Sequence, residues 1–156
     1  MDPRRRYYHP EIGFNYRMTN IQAAIGCAQL EQADAILARR KVIAGAYDAG
    51  LAGIPALTRP PAEPWAENVH WMYSVLVEPE YHASRDAVIA GLRARGVDSR
   101  PFFVPLHELP PYRAGCAVPG GHALWARAGS TSRPGRVCTL EEIATVCGAL
   151  RALGPS

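Results

Sequence analysis

Lysine is almost missing from this 156-residue sequence: of 17 basic residues only Lys41 is a lysine, and the others are arginines. Chemistry that runs through a side-chain amine, such as Schiff-base formation, therefore has a single candidate. That candidate follows Arg39 and Arg40 on what reads as the polar face of a helix, the surroundings of a solvated cation. Cysteine offers little more. Cys27, Cys116, Cys138 and Cys147 are scattered, with no C-x-x-C pair and no histidine at zinc-site spacing, so no metal site is expected and the thiols read as buried or incidental. No apolar run approaches the roughly 20 residues that span a bilayer. The start MDPRRRYYHPE has no apolar core of the signal-peptide kind, from which a cytoplasmic protein without membrane contact is expected. Walker, G-x-G-x-x-G, G-x-S-x-G and H-E-x-x-H motifs are also lacking.

What is present is a chain with 48% hydrophobic and 20% charged residues, enough for one globular core. Its net charge of +3 is mild, and the one dense basic cluster, Arg4 to Arg6, reads as a solvated terminus, because no basic stripe or nucleic-acid motif continues it. No nucleic-acid partner is expected. Thr19 and Gln22 have capping-box spacing, and Ile21, Ile25, Ala28, Ile36, Ile43 and Tyr47 recur on one side, which predicts one long helix from Thr19 to about Leu51. Gly26 within that stripe invites close approach of another backbone. The run Val69 to Val77 predicts a buried strand, Ser84 caps a second helix that ends at Gly96, and Val97 to Val104 predicts an edge or short strand, limited by Pro101. These three would make a β-α-β unit. Prolines and glycines from Pro101 to Gly121 predict a long ordered loop. Thr139 and Glu142 form a second capping box for a last helix that closes at Gly154 and Pro155. The sum is an α/β sandwich.

Three segments carry candidate chemistry. HPEIGFNYRMTN, from His9 to Asn20, leads into a helix N-terminus, where free backbone amides favour an anion; Asn15 and Arg17 would add an amide donor and a fixed charge. The plainer reading has Asn15 capping a turn and Arg17 pairing with a surface acid. RPFFVPLH, from Arg100 to His107, sets Phe102, Phe103, Arg100 and His107 in a proline-stiffened stretch. Aromatic faces and a guanidinium suit a nucleotide base and its phosphates, or the two rings simply pack in the core. His70, Trp71 and Tyr73 lie on the apolar strand, where alternation lets at most one side reach a ligand.

GFNYRMTNIQAAIGCAQLEQ (Gly13 to Gln32), RRKVIAGAYDAGL, ENVHWMYSVLV (Glu67 to Val77) and DSRPFFVPLHELPPYR (Asp98 to Arg113) closely resemble the DegT/DnrJ/EryC1/StrS aminotransferases, nearest their perosamine synthase branch. The resemblance implies fold type I, with this chain as the C-terminal small domain: a helix-entry segment at 1–18, then a long connecting helix and a small sheet flanked by helices over 19–156. It implies transfer of an amino group from glutamate to a nucleotide-linked keto sugar, with pyridoxal 5'-phosphate (PLP) as cofactor, in a homodimer; the alternative, which the missing lysine favours, is a non-catalytic free-standing module docked on an intact aminotransferase subunit. It also implies that the cofactor lysine, the aspartate partnering the pyridine nitrogen and the stacking ring belong to a segment before Met1, so that this chain alone would be inactive. By the same resemblance Asn15 reaches the cofactor phosphate of the other subunit with Arg17 beside it, and His107, Phe102 and Phe103 border the nucleotide-sugar. From Ala114 to Cys138 the resemblance is patchy, and Gly129 to Pro134 replaces the usual apolar closing segment.

Overall fold

The computed structural model describes residues 8–14, 17–112, 120–131 and 138–154. Asn15, Arg4 to Arg6 and Cys116 lie outside the described residues. The Thr19 capping box closes as expected, with Thr19 Oγ1 accepting from the Gln22 amide (3.3 Å) and Gln22 Oε1 accepting from the Thr19 amide (2.7 Å). The helix it opens is not continuous. It runs as α1 (Asn20–Leu30), breaks at Glu31 and Gln32, and resumes as α2 (Ala33–Leu51). The expected single helix is corrected by what the two halves pack on: α2 buries Ile43, Ala44, Tyr47 and Leu51, whereas α1 buries nothing. No core contact holds the two axes in line. Gly26 likewise meets no neighbour within 4 Å of where a Cβ would stand, so the close approach expected there is absent within the described chain.

The sheet has the order β1-β2-β4-β3 with every neighbour antiparallel, where β1 is Leu57–Thr58, β2 Tyr73–Val77, β3 Ser99–Pro101 and β4 Ala128–Thr131. β2 and β3 are thus parallel but not adjacent. The β-α-β unit expected from the sequence is a split one, with β4 paired to both (Val75 opposite Gly129, Pro101 opposite Gly129). Pro101 ends β3 after three residues at the sheet edge, consistent with its missing amide. The connecting helix α3 (Arg85–Arg93) is capped by Ser84, whose Oγ accepts from the Ala87 amide (3.2 Å). It terminates through Gly96 at φ 76°, with the Val97 amide donating to the Leu92 carbonyl (3.0 Å), a left-handed stop suited to glycine.

Among its described residues the stretch 101–121 holds two short 3₁₀ turns, Leu106–Glu108 and Pro110–Tyr112, and leads to an unanticipated helix, α4 (Gly121–Arg127). The last helix, α5 (Leu140–Leu153), has its capping box and buries Ile143, Val146, Cys147, Ala149 and Leu150 against α2 and α3. Helices α2, α3 and α5 cover the face of the sheet that carries Tyr73, Val75 and Val77. Tyr47 and Tyr73 stack at 4.7 Å in that core, and the Tyr73 hydroxyl donates to Asp48 Oδ1 (2.6 Å). Burial first, and then the bond to the anionic Asp48, push the Tyr73 phenol well above its ordinary pKa.

Candidate functional site

The opposite face of the sheet floors a cavity of about 1060 Å³, at the upper end of the range for small-molecule sites. Ser74 and Leu76, the outward residues of β2, lie under it. Its walls are aromatic: Trp71, Phe102, Phe103 and Trp125. Each is placed by a separate device. Before β2 begins, His70 takes φ 46° and its amide donates to Asn68 Oδ1 (2.8 Å), and this turn delivers Trp71 and Met72 to the cavity. Phe103 lies parallel to Trp71 (6.0 Å between centroids, 11° between planes) and edge-on to Phe102 (5.9 Å, 70°). Trp125, from α4, donates its indole N–H to the Phe102 carbonyl (3.0 Å). Behind it Arg85 sits 5.1 Å from the indole centroid and donates to the Trp125 carbonyl (2.7 Å), so that wall is fixed through both ring and backbone. His9, Asn68 and Arg59 add polar groups to the lining. Arg59 also binds the Asp48 carbonyl (3.0 Å).

Of the residues singled out from the sequence, Phe102 and Phe103 line this cavity, each a little more than one third exposed. Arg100 stands behind the wall, with Nη2 directed at the Met72 sulfur, and is not part of the lining. His107 is also outside it, with Nε2 3.7 Å from Glu108 Oε1. Arg17 is exposed at the approach to α1. Trp71 and Tyr73 diverge: strict alternation would put them on one side, but β2 starts only at Tyr73, so Tyr73 enters the core while Trp71 joins the cavity. Met72, Leu76 and Trp125 went unnoticed in the sequence. Trp125 falls in the part of the chain where the family resemblance is patchy, and the tryptophan itself was the one available signal.

The PLP that the resemblance implies needs an amine to anchor it. Lys41 lies on the exposed side of α2 and is ion-paired with Glu67, both side chains more than half exposed. The hydrogen bond from Lys41, reinforced by its charge, holds the Glu67 carboxyl below its ordinary pKa. The residues present do not fit the covalent end of the cofactor. Among the described residues the cavity therefore offers stacking surface and a polar lining, without an amine to anchor the cofactor.

The sequence profile of the DegT/DnrJ/EryC1/StrS aminotransferase family matches residues 1–151. A GDP-perosamine synthase of Caulobacter vibrioides is 50% identical over 113 residues, which are 72% of this chain and 30% of that protein. S. venezuelae DesV, solved in complex with a ketimine intermediate, superposes with a TM-score of 0.74 at 29% identity over 96% of this chain and 40% of that one. A Streptococcus pneumoniae protein described as a sugar aminotransferase, solved in its PLP form, gives a TM-score of 0.76 at 26% identity over 87% of this chain and 36% of that one. The chain spans about 30% of the length of the curated relatives it matches. No helix among the described residues is long and apolar enough to cross a membrane.

Proposed function

Because this chain belongs to the DegT/DnrJ/EryC1/StrS aminotransferase family, we propose that it is the small-domain portion of a PLP-dependent enzyme that aminates a nucleotide-linked keto sugar. In this reading residues 1–18 form the helix-entry segment and 19–156 the small domain with its connecting helix, perosamine synthase-like in taking the amino group from glutamate. The observation that carries the reading is the aromatic cavity on the sheet face opposite α2, α3 and α5, whose lining suits the flat, partly apolar end of a nucleotide. PLP, when bound, supplies the amine-exchange chemistry, and its lysine comes from outside this sequence. The chain's own residues orient substrate and exclude water. Asn15 and Arg17 serve the cofactor phosphate across a homodimer, and Phe102 and Phe103 form a substrate wall with Arg100 and His107 flanking it.

A second reading, a free-standing module that docks on an intact aminotransferase subunit, is favoured by one observation: α1 displays Ile21, Ile25 and Leu30 uncovered, a face that calls for a partner. Either way the chain acts with a lysine-bearing partner. The test combines the purified chain with PLP, glutamate and a GDP-linked 4-keto-6-deoxy sugar, with and without the lysine-bearing domain of the Caulobacter relative freed of its own small domain. Amino sugar is expected only in the mixture, and borohydride is expected to leave no cofactor on Lys41. A mixture that transfers no amine overturns the small-domain reading, and a reduced adduct on Lys41 overturns the external nucleophile.

A further inference from the structure

We infer that Trp71 and Phe103 form a two-sided clamp for the nucleobase, so that the base of the nucleotide, not its sugar, is what this chain grips. The inference rests on the nucleotide-sugar reading above and deepens it. Trp71 and Phe103 already lie almost parallel, 11° apart in plane, with 6.0 Å between centroids. A flat ring held between two others needs about 7 Å, twice the optimal carbon contact of about 3.5 Å. Near-parallel rings with centroids this far apart lie in the offset-stacking range, so the pair must part and realign face to face to admit a base, and its freedom is unequal in a useful way. Phe103 is held by the edge of Phe102, whose carbonyl is tied to the Trp125 indole, so this jaw is fixed. Trp71 is 56% exposed and sits just before β2, next to the left-handed turn at His70, so this jaw is free to swing.

The chemistry also selects a base. A sugar ring or a diphosphate has no π-face to offer, whereas every nucleobase does, and stacking on aromatic side chains is tolerant of which base it is. The polar lining groups His9, Asn68 and Arg59 leave the hydroxyl and phosphate end somewhere to lie. Arg85 is set against Trp125 instead of the clamp, so it stiffens the wall without competing for the same ring face.

The test uses the intact chain and GDP as probe, with inorganic pyrophosphate and ribose 5-phosphate as baseless controls. Binding is followed by calorimetry, and the base protons by NMR. Trp71→Ala and Phe103→Ala are each expected to weaken GDP binding by about 5- to 150-fold, the range for loss of one stacked aromatic. Trp71→Phe is expected to restore most of it, and the guanine H8 signal to move upfield on binding as it enters two ring currents. Both positions are partly exposed, so the substitutions leave the core intact, which circular dichroism verifies. GDP binding no tighter than pyrophosphate, loss in only one of the two alanine variants, or an unshifted H8 each overturns the clamp. The amine-transfer assay above needs no base contact as its readout, so a failed clamp with active mixture leaves the aminotransferase reading standing, and the converse result separates them the other way.

Discussion

Gly50 lies in α2 where α5 crosses it, and a Cβ built there would stand 2.6 Å from Cys147 Sγ and 3.1 Å from Cys147 Cβ. Alanine in a helix interior ordinarily stabilises by about 1 kcal/mol relative to glycine, and by less at Gly50, the last residue but one of α2. Here it has nowhere to go. Cys147 is 3% exposed and enclosed by the same core that holds Ile143 and Leu150, so its sulfur cannot turn away into solvent. Restoring contact distance requires the two helices to part by about 1 Å or the thiol to leave its rotamer, and overpacking of this kind costs about 1–3 kcal/mol. The net expectation for Gly50→Ala is destabilisation of about 1 kcal/mol, or a Tm lower by about 2–4 °C for a domain of this size. Thermal unfolding by circular dichroism with a urea titration measures it. Adding Cys147→Ala removes the clashing sulfur, so the double variant is expected to lose less than the sum of the two single changes. A Gly50→Ala chain as stable as the parent, or more so, refutes the close crossing.

Two other perturbations read the core. Tyr81 is fully buried and its hydroxyl donates to the Leu150 carbonyl in the last turn of α5, one of the acceptors a helix end leaves open, so Tyr81→Phe is expected to destabilise the fold by about 1–3 kcal/mol in urea unfolding. Tyr73 keeps its proton in the folded state to higher pH than in the unfolded chain, where the phenol titrates near 10. Its stabilisation is therefore intact below about pH 10 and falls as the pH rises beyond it, because there the unfolded chain releases a proton that the folded one retains. Melting curves from pH 8 to 11 are expected to fall more steeply for the parent than for Tyr73→Phe, and parallel curves would contradict the burial of that hydroxyl.

Local chemistry was legible in the sequence wherever a few neighbouring residues decide the outcome. The two capping boxes, Thr19 with Gln22 and Thr139 with Glu142, the Ser84 cap and the Gly96 stop all form as their spacing implies, because each is closed by atoms within five residues. What escaped were features settled at long range. Gln29 to Asp34 contains no proline or glycine to announce a break, and the break reflects that α2 has a core to bury into while α1 has none. β4 reads Ala-Gly-Ser-Thr, with little strand propensity of its own, and exists because β2 and β3 supply ladders on both its edges. In the site, Phe102 and Phe103 were visible as an aromatic pair, but nothing near them in sequence indicated that Trp71 and Trp125 would complete the wall. Arg100 and His107 share their segment and still face elsewhere, since a short strand and a 3₁₀ turn separate the directions in which they emerge.

The strand that joins the two halves of the sheet is the last to leave the ribosome. Until Thr131 has been synthesised, β2 and β3 have no common neighbour, and each presents an open row of amides and carbonyls on the side that β4 will occupy. Such edges recruit other chains. The nascent protein must therefore carry one sticky margin through more than fifty residues of elongation, from Val77 to Thr131, and a second through the last thirty of them, from Pro101, and a ribosome stalled in that interval releases a product prone to cross-pair with its siblings.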